Sequence, residues 1–281
     1  MLDLHQLSDE NLLKILSKMR DVTELLYKAR SGEKLTFKEY STLRKLIVDV
    51  AKDLGFKLPI LFNGWLTVWF LTRIGPLRRM SGVSTVTDNL IYMANLLLNV
   101  LFNEIDYRFM IKWLRAPKEE LENKLSALGG YANEIVIRGF LREVIGGKWM
   151  NCIHYFLDSV EIDIYAESSD KRLIHIGEVK TTLKRKQLKI LENNLSKLAE
   201  IFKRGKRKIA TVALAWFKST LDKKYIIKQV KDSAVSILNY EPEIELYDLK
   251  EICNYCKNAG QTGKEYINAI KFLIDKKEFC K

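Results

Sequence analysis

Residues Val160–Lys180, VEIDIYAESSDKRLIHIGEVK, restrict the possible folds more than any other part of this chain. Two strand-like runs flank a polar turn. In the first, Val160, Ile162 and Ile164 alternate with Glu161, Asp163 and Tyr165, so the acids share one face. Glu167–Arg172 is turn material. The second run, Leu173–Thr181, is apolar except for His175, Glu178 and Lys180. Glu178 and Lys180 sit two apart and project from one face. Paired as a hairpin, the strands bring Asp163, Glu178 and Lys180 together. Two carboxylates and an ammonium in an apolar sheet are costly to bury unless they pair or hold a metal. Such a conflict between pattern and content marks a functional candidate.

The surroundings predict the rest of an α/β domain. Pro117 and the acids after it open a helix, and the domain boundary is placed there, giving a helical region 1–116 and a second domain 117–281. Helices are expected over Leu121–Leu128 and Tyr131–Val144, interrupted at Gly129-Gly130. The second carries Glu134 among Ile135, Ile137, Phe140 and Leu141, with Glu143 as an alternative acid near its end. Trp149–Leu157 reads as a strand. After Thr181, leucines at 188, 191, 195 and 198 recur at helical spacing. Ile209–Phe217 is a continuous apolar run suited to a buried strand. Lys223–Leu238 reads as a helix, Glu243–Leu249 as an edge strand and Tyr266–Ile274 as a closing helix. The order α-β-β-β-α-β-α-β predicts a mixed sheet covered by helices.

An acid at Asp163, a hairpin, Glu178-Val179-Lys180 fifteen positions on, and an upstream helical Glu134 together resemble the PD-(D/E)xK nuclease superfamily, which includes restriction endonucleases, Holliday-junction resolvases and RecB-type nuclease domains. The resemblance covers residues 120–250. One departure is that Ile162, not proline, precedes Asp163. The resemblance implies a restriction-endonuclease-like fold and Mg²⁺- or Mn²⁺-dependent hydrolysis of DNA phosphodiesters, with RNA as another substrate to consider. It also implies that Asp163, Glu178 and the Val179 carbonyl hold the metal, with Glu134 as a third ligand or a holder through water. Mg²⁺ favours hard oxygen donors of this kind. Lys180 is expected to act by orientation and electrostatics, because two adjacent carboxylates oppose the lowered pKa a general base would need.

Charge fits a polyanionic partner. Lys and Arg total 47 against 35 acids, a net charge of +12. Lys171–Lys208 alone holds thirteen bases against three acids. Lys184, Arg185, Lys186 and Lys189 open the helix after the catalytic strand, and Gln187 stands near a position where some RecB-type members carry a helical glutamine. Arg204, Lys206 and Arg207 belong to a basic loop before the next strand. These eight residues are the expected nucleic-acid contacts. His154 and His175 are read as sheet-packing residues, and Trp65, Trp69 and Trp113 as core. A non-catalytic nucleic-acid-binding or scaffolding protein of the same fold is the alternative.

The N-terminal third reads as helices at 9–30 and from a capping box at Thr36–Glu39 to Leu54. Pro59–Thr72 and Leu90–Phe102 are apolar but fall short of the about 20 residues a membrane span needs, so buried helices are expected. A Gly/Ser/Thr loop is expected at 75–87. This region would bind DNA, form a homodimer or recruit a partner. The N-terminus has neither the basic start nor the apolar core of a signal peptide, which predicts a cytoplasmic chain with reduced thiols at Cys152, Cys253, Cys256 and Cys280.

Overall fold

A computed structural model describes residues 4–30, 35–54, 83–157, 160–274 and 280. They group into two compact units, Met1–Ile105 with Phe156–Ser159, and Asp106–Tyr155 with Val160–Lys281. The division expected at 116/117 thus stands beside one at Ile105/Asp106.

The described part of the first unit is largely helical. Helix α1, Asp9–Arg30, buries Leu12, Ile15, Leu16, Met19, Val22 and Leu26, a stripe at helical spacing. Helix α2, Phe37–Asp53, opens with a reciprocal cap: Thr36 N–H donates to Glu39 Oε2 (2.7 Å) and Glu39 N–H to Thr36 Oγ1 (3.2 Å). Helix α3, Val83–Arg108, carries the Leu90–Phe102 run. Ile91, Ala94, Leu98, Leu101 and Phe102 are buried, whereas Tyr92, Met93, Leu96 and Val100 are exposed. A fully buried helix was expected; an apolar run with no polar stripe gives no sign of which side faces solvent. Residues 83–87, expected in a loop, are helical. Pro59–Thr72, Trp65, Trp69 and residues 75–82 lie outside the described residues. No helix among the described residues is long and apolar enough to cross a membrane.

The second unit is α/β. Helix α4 (Lys118–Leu128) and helix α5 (Ala132–Phe140) are separated by a tight turn at Gly129–Tyr131, where Gly129 has φ +56°. The strands are β1 (Ile153–Leu157), β2 (Val160–Glu167), β3 (Leu173–Leu183), β4 (Lys208–Ser219) and β5 (Glu243–Tyr247), and they lie in that order in one sheet. Trp149, expected in β1, is buried in a short 3₁₀ turn, Gly147–Trp149, entered through Gly146; both glycines have positive φ. Strands β2 and β3 form the antiparallel hairpin; β4 runs parallel to β3, and β5 parallel to β4. Parallel neighbours need crossovers, supplied by helix α6 (Arg185–Arg204) and helix α7 (Lys223–Leu238). Asp248 ends β5 by capping helix α8 (Leu249–Asn258), its Oδ1 accepting from Glu251 N–H at 2.9 Å. Helix α9 (Gly260–Ile274) closes the fold, starting earlier than expected.

Helices α5 and α6 clasp strand β3. Asn133 of α5 donates to Thr181 Oγ1 (2.5 Å), and Asn194 of α6 donates to Glu178 Oε1 (3.0 Å). The two β3 residues are three apart, so their side chains project to opposite faces. A Cβ at Gly177 would stand 3.0 Å from Ala213 Cβ and from Ile164 Cδ1, so glycine lets β2 and β4 close on β3 here without either neighbour giving way.

One correction concerns the cysteines. Cys253 and Cys280 form a disulfide, their Cα atoms 5.5 Å apart, whereas Cys152 and Cys256 are free and buried. Reduced thiols were expected throughout. Cys280 meets α8 through this bond, a proximity that 27 residues of sequence separation conceal.

Candidate active site

The hairpin ladder of β2 and β3 ends at Ile164 and Gly177. Beyond that rung a side chain takes the place of a strand partner: Asp163 Oδ2 accepts the Val179 N–H at 2.7 Å. The same oxygen lies 3.3 Å from Lys180 Nζ, which also pairs closely with Glu178 Oε2. Asp163 and Glu178 are buried, and Lys180 is about a quarter exposed (26%). Three of the residues singled out in the hairpin therefore meet at one point.

Arg138 of α5 anchors this point from below. Its guanidinium is fully buried and grips Asp106 with two bonds, Nε to Oδ2 (2.8 Å) and Nη2 to Oδ1 (2.9 Å). Its Nη1 donates to the Asp163 carbonyl at 2.8 Å, which fixes the backbone that carries the key carboxylate.

Glu134, one turn before Arg138, pairs with Arg138 (Oε2 to Nη1, 3.9 Å) and with His154. Its Oε2 lies 3.3 Å from His154 Nδ1, and His154 Nε2 lies 3.1 Å from Glu161 Oε1. Glu134, His154 and Glu161 each offer one ligand atom within 4.8 Å of the others. His154, read as a packing residue, is thus the centre of a polar cluster. Its three members come from α5, β1 and β2, and no spacing along the chain links them. Glu143, the alternative acid, instead accepts from Tyr266 Oη (2.8 Å) away from the hairpin. His175 meets Thr211 Oγ1 at 2.9 Å and packs within the sheet as expected.

The electrostatics follow from this crowding. Burial, reinforced by the charge of Asp163, pushes Glu178 up to about 8 even though Lys180 opposes the rise. Burial and Asp163 likewise push Glu134 up to about 7 against the pull of His154 and Arg138. Burial alone would lower His154, but the carboxylates of Glu134 and Glu161 outweigh it and hold the imidazole at about 9. Burial also works against the Lys180 ammonium, and Asp163 and Glu178 overcome it, so its pKa stands above the ordinary lysine value.

Comparison with family models, with curated proteins and with solved structures finds no match. The chemistry of this site therefore rests on its own residues.

The basic residues separate into two groups. Lys184, Arg185, Lys186 and Lys189 are exposed at the start of α6, directly after β3 passes the site. Gln187 serves the helix end, its Oε1 accepting the Lys184 N–H at 3.1 Å. The loop of Arg204, Lys206 and Arg207 lies elsewhere. Lys208 pairs with Leu173, whereas Trp216 pairs with Lys180, so the loop sits seven positions, roughly 23 Å, along the strand from Lys180. A parallel crossover returns the chain to the far end of the sheet, so nearness in sequence does not place this loop at the site. Arg207 is moreover held by Glu167, by Tyr165 Oη (2.8 Å) and by the Lys171 carbonyl (3.1 Å). Lys203, Lys206 and Lys208 line a separate cleft of about 560 Å³ with Phe202 and Tyr240.

Proposed function

We propose that this chain is a restriction-endonuclease-like, metal-dependent nuclease that hydrolyses DNA phosphodiester bonds. The observation that carries this reading is the junction of Asp163, Glu178 and Lys180 where β2 and β3 part. Two buried carboxylates side by side are a hard oxygen donor set, which suits Mg²⁺ or Mn²⁺. Asp163, Glu178 and the Val179 carbonyl would hold the ion. When bound, it would offset phosphate charge and acidify a water molecule.

The chain's own residues have distinct tasks in this reading. Asp163 fixes the Val179 backbone and presents a carboxylate at the strand opening. Asn194 orients Glu178 through its Oε1. Lys180, kept cationic by its two neighbours, stabilises negative charge and orients the attacking water rather than removing its proton. Lys184, Arg185, Lys186 and Lys189 would meet the phosphate backbone where it leaves the site.

The alternative is a non-catalytic binder. The close pairing of Lys180 with Glu178 favours it, because an ammonium can balance these carboxylates without a metal. Incubation of linear, circular and branched DNA, and of RNA, with Mg²⁺ or Mn²⁺ separates the two. Cleavage that falls about 10²- to 10³-fold in both Asp163→Asn and Lys180→Ala supports the nuclease. Binding without cleavage supports the alternative, and undiminished cleavage by both variants moves the chemistry elsewhere.

A further inference from the structure

We infer that Glu134, His154 and Glu161 form a second divalent-cation site, distinct from the Asp163/Glu178 pair and selective for metals that accept imidazole. The inference does not require that the chain cut DNA. Three ligand atoms from α5, β1 and β2 already lie within 4.8 Å of one another. Glu134 Oε2 is enclosed and makes no hydrogen bond among the described residues. His154 Nδ1 at 3.3 Å and Arg138 Nη1 at 3.9 Å compensate this enclosed oxygen through charge alone, and a directly bound cation would complete it.

Glu134, Glu161, Asp163 and Glu178 are four carboxylates in one connected cluster, in which Lys180 pairs with Asp163 and Glu178, and Arg138, gripping Asp106, also stands 3.9 Å from Glu134. His154 Nδ1 has Arg138 Nη1 at 3.2 Å and Glu134 Oε2 at 3.3 Å, and Nε2 has Glu161 Oε1 at 3.1 Å, so each ring nitrogen faces one of the two carboxylates. Glu161 is 43% exposed and provides the entry from solvent, whereas His154 is fully enclosed.

The ligand types select the metal. An imidazole nitrogen with two carboxylates favours Zn²⁺, Co²⁺ or Mn²⁺ over Mg²⁺, which prefers all-oxygen surroundings and retains its waters. Asp163 and Glu178 present only oxygens, so the two places should differ in preference.

Calorimetric titration of the whole chain with Zn²⁺ and with Mg²⁺ tests this, together with pulsed EPR of bound Mn²⁺ to detect a coordinating imidazole nitrogen. Wild type should bind Zn²⁺ and show the nitrogen signal. Glu161→Gln, a change at an exposed position, should weaken Zn²⁺ at least tenfold and abolish that signal while circular dichroism stays unchanged. Asp163→Asn should keep the nitrogen signal. Absence of Zn²⁺ binding by wild type, absence of the nitrogen signal, or unchanged Zn²⁺ affinity in Glu161→Gln overturns the inference. Loss of DNA cleavage alone leaves it intact, and Mg²⁺ binding unchanged by Asp163→Asn would count against the nuclease reading only.

Discussion

Replacing Arg138 by methionine tests how the site is held in place. The native guanidinium makes two bonds to Asp106 at 2.8 and 2.9 Å and one to the Asp163 carbonyl at 2.8 Å, with the two charged side chains 0% and 3% exposed. Methionine fills much of the same volume, so the loss is mainly electrostatic. It leaves a buried Asp106 without its cation, which costs about 3–5 kcal/mol. For a unit of this size that lowers the thermal midpoint by roughly 10 °C. The double variant Asp106→Leu with Arg138→Met removes both charges and should recover most of the loss, because a buried ion pair and its apolar replacement are often close in stability. The Asp163 carbonyl still lacks a donor, so a deficit of about 1–3 kcal/mol should persist. Urea unfolding followed by circular dichroism measures all three proteins. A single variant within about 1 kcal/mol of wild type, or a double variant no more stable than the single, would refute the account of Arg138 as an anchor paired with Asp106.

Other outcomes follow from the same geometry. In EDTA the protein should lose stability as pH rises: Glu178 (about 8) and Glu134 (about 7) hold protons in the folded state that carboxylates in the unfolded chain release near 4.5, and His154 (about 9) adds to this above 6.5. The lowered pKa of His175 works the other way, with burial as the first cause, but its change is complete at lower pH. A net fall of several kcal/mol between pH 5.5 and 8.5 (about 8 kcal/mol if the three shifts add in full), reduced by Mn²⁺, is expected in urea titrations; equal or greater stability at pH 8.5 contradicts it. Gly177→Val should cost about 1–3 kcal/mol by forcing Ile164 and Ala213 away from β3, and a silent substitution would show that the strands have room to part. Reversing Lys184 and Lys186 to glutamate should weaken DNA binding and flatten its salt dependence by about one unit of slope per lost phosphate contact. The same change at Lys203 and Lys206, at the far end of β4, should have the smaller effect; the opposite ranking would place the DNA track along the 560 Å³ cleft instead.

Local patterns were legible wherever the physics is local. The Thr36–Glu39 cap, the leucine stripe of α6 and the polar turn between β2 and β3 involve residues a few positions apart, and each lies where its residues indicate. Glu178 and Lys180 on one strand face could be read from the two-residue period of a strand, and their meeting with Asp163 required only that the hairpin close. His154 could not be read in this way. Its neighbours Glu134 and Glu161 come from a helix and another strand, and alternation assigns a strand histidine to packing by default. The basic loop misled for a related reason, because a parallel crossover carries adjacent sequence to opposite ends of a sheet.

Sequence by itself determined the order of helices and strands from residue 117 to β5, the hairpin and the three charged residues at its opening, because periodicity, capping and turn chemistry act over a few residues; helix α8, Leu249–Asn258, was not foreseen. Tertiary structure alone decided that Arg138 fastens Asp163 to Asp106, that Glu134 pairs with His154, and that Cys253 meets Cys280. Those outcomes depend on which buried charges find partners when distant segments pack, and the cost of leaving any of them unpaired is settled only in the assembled core.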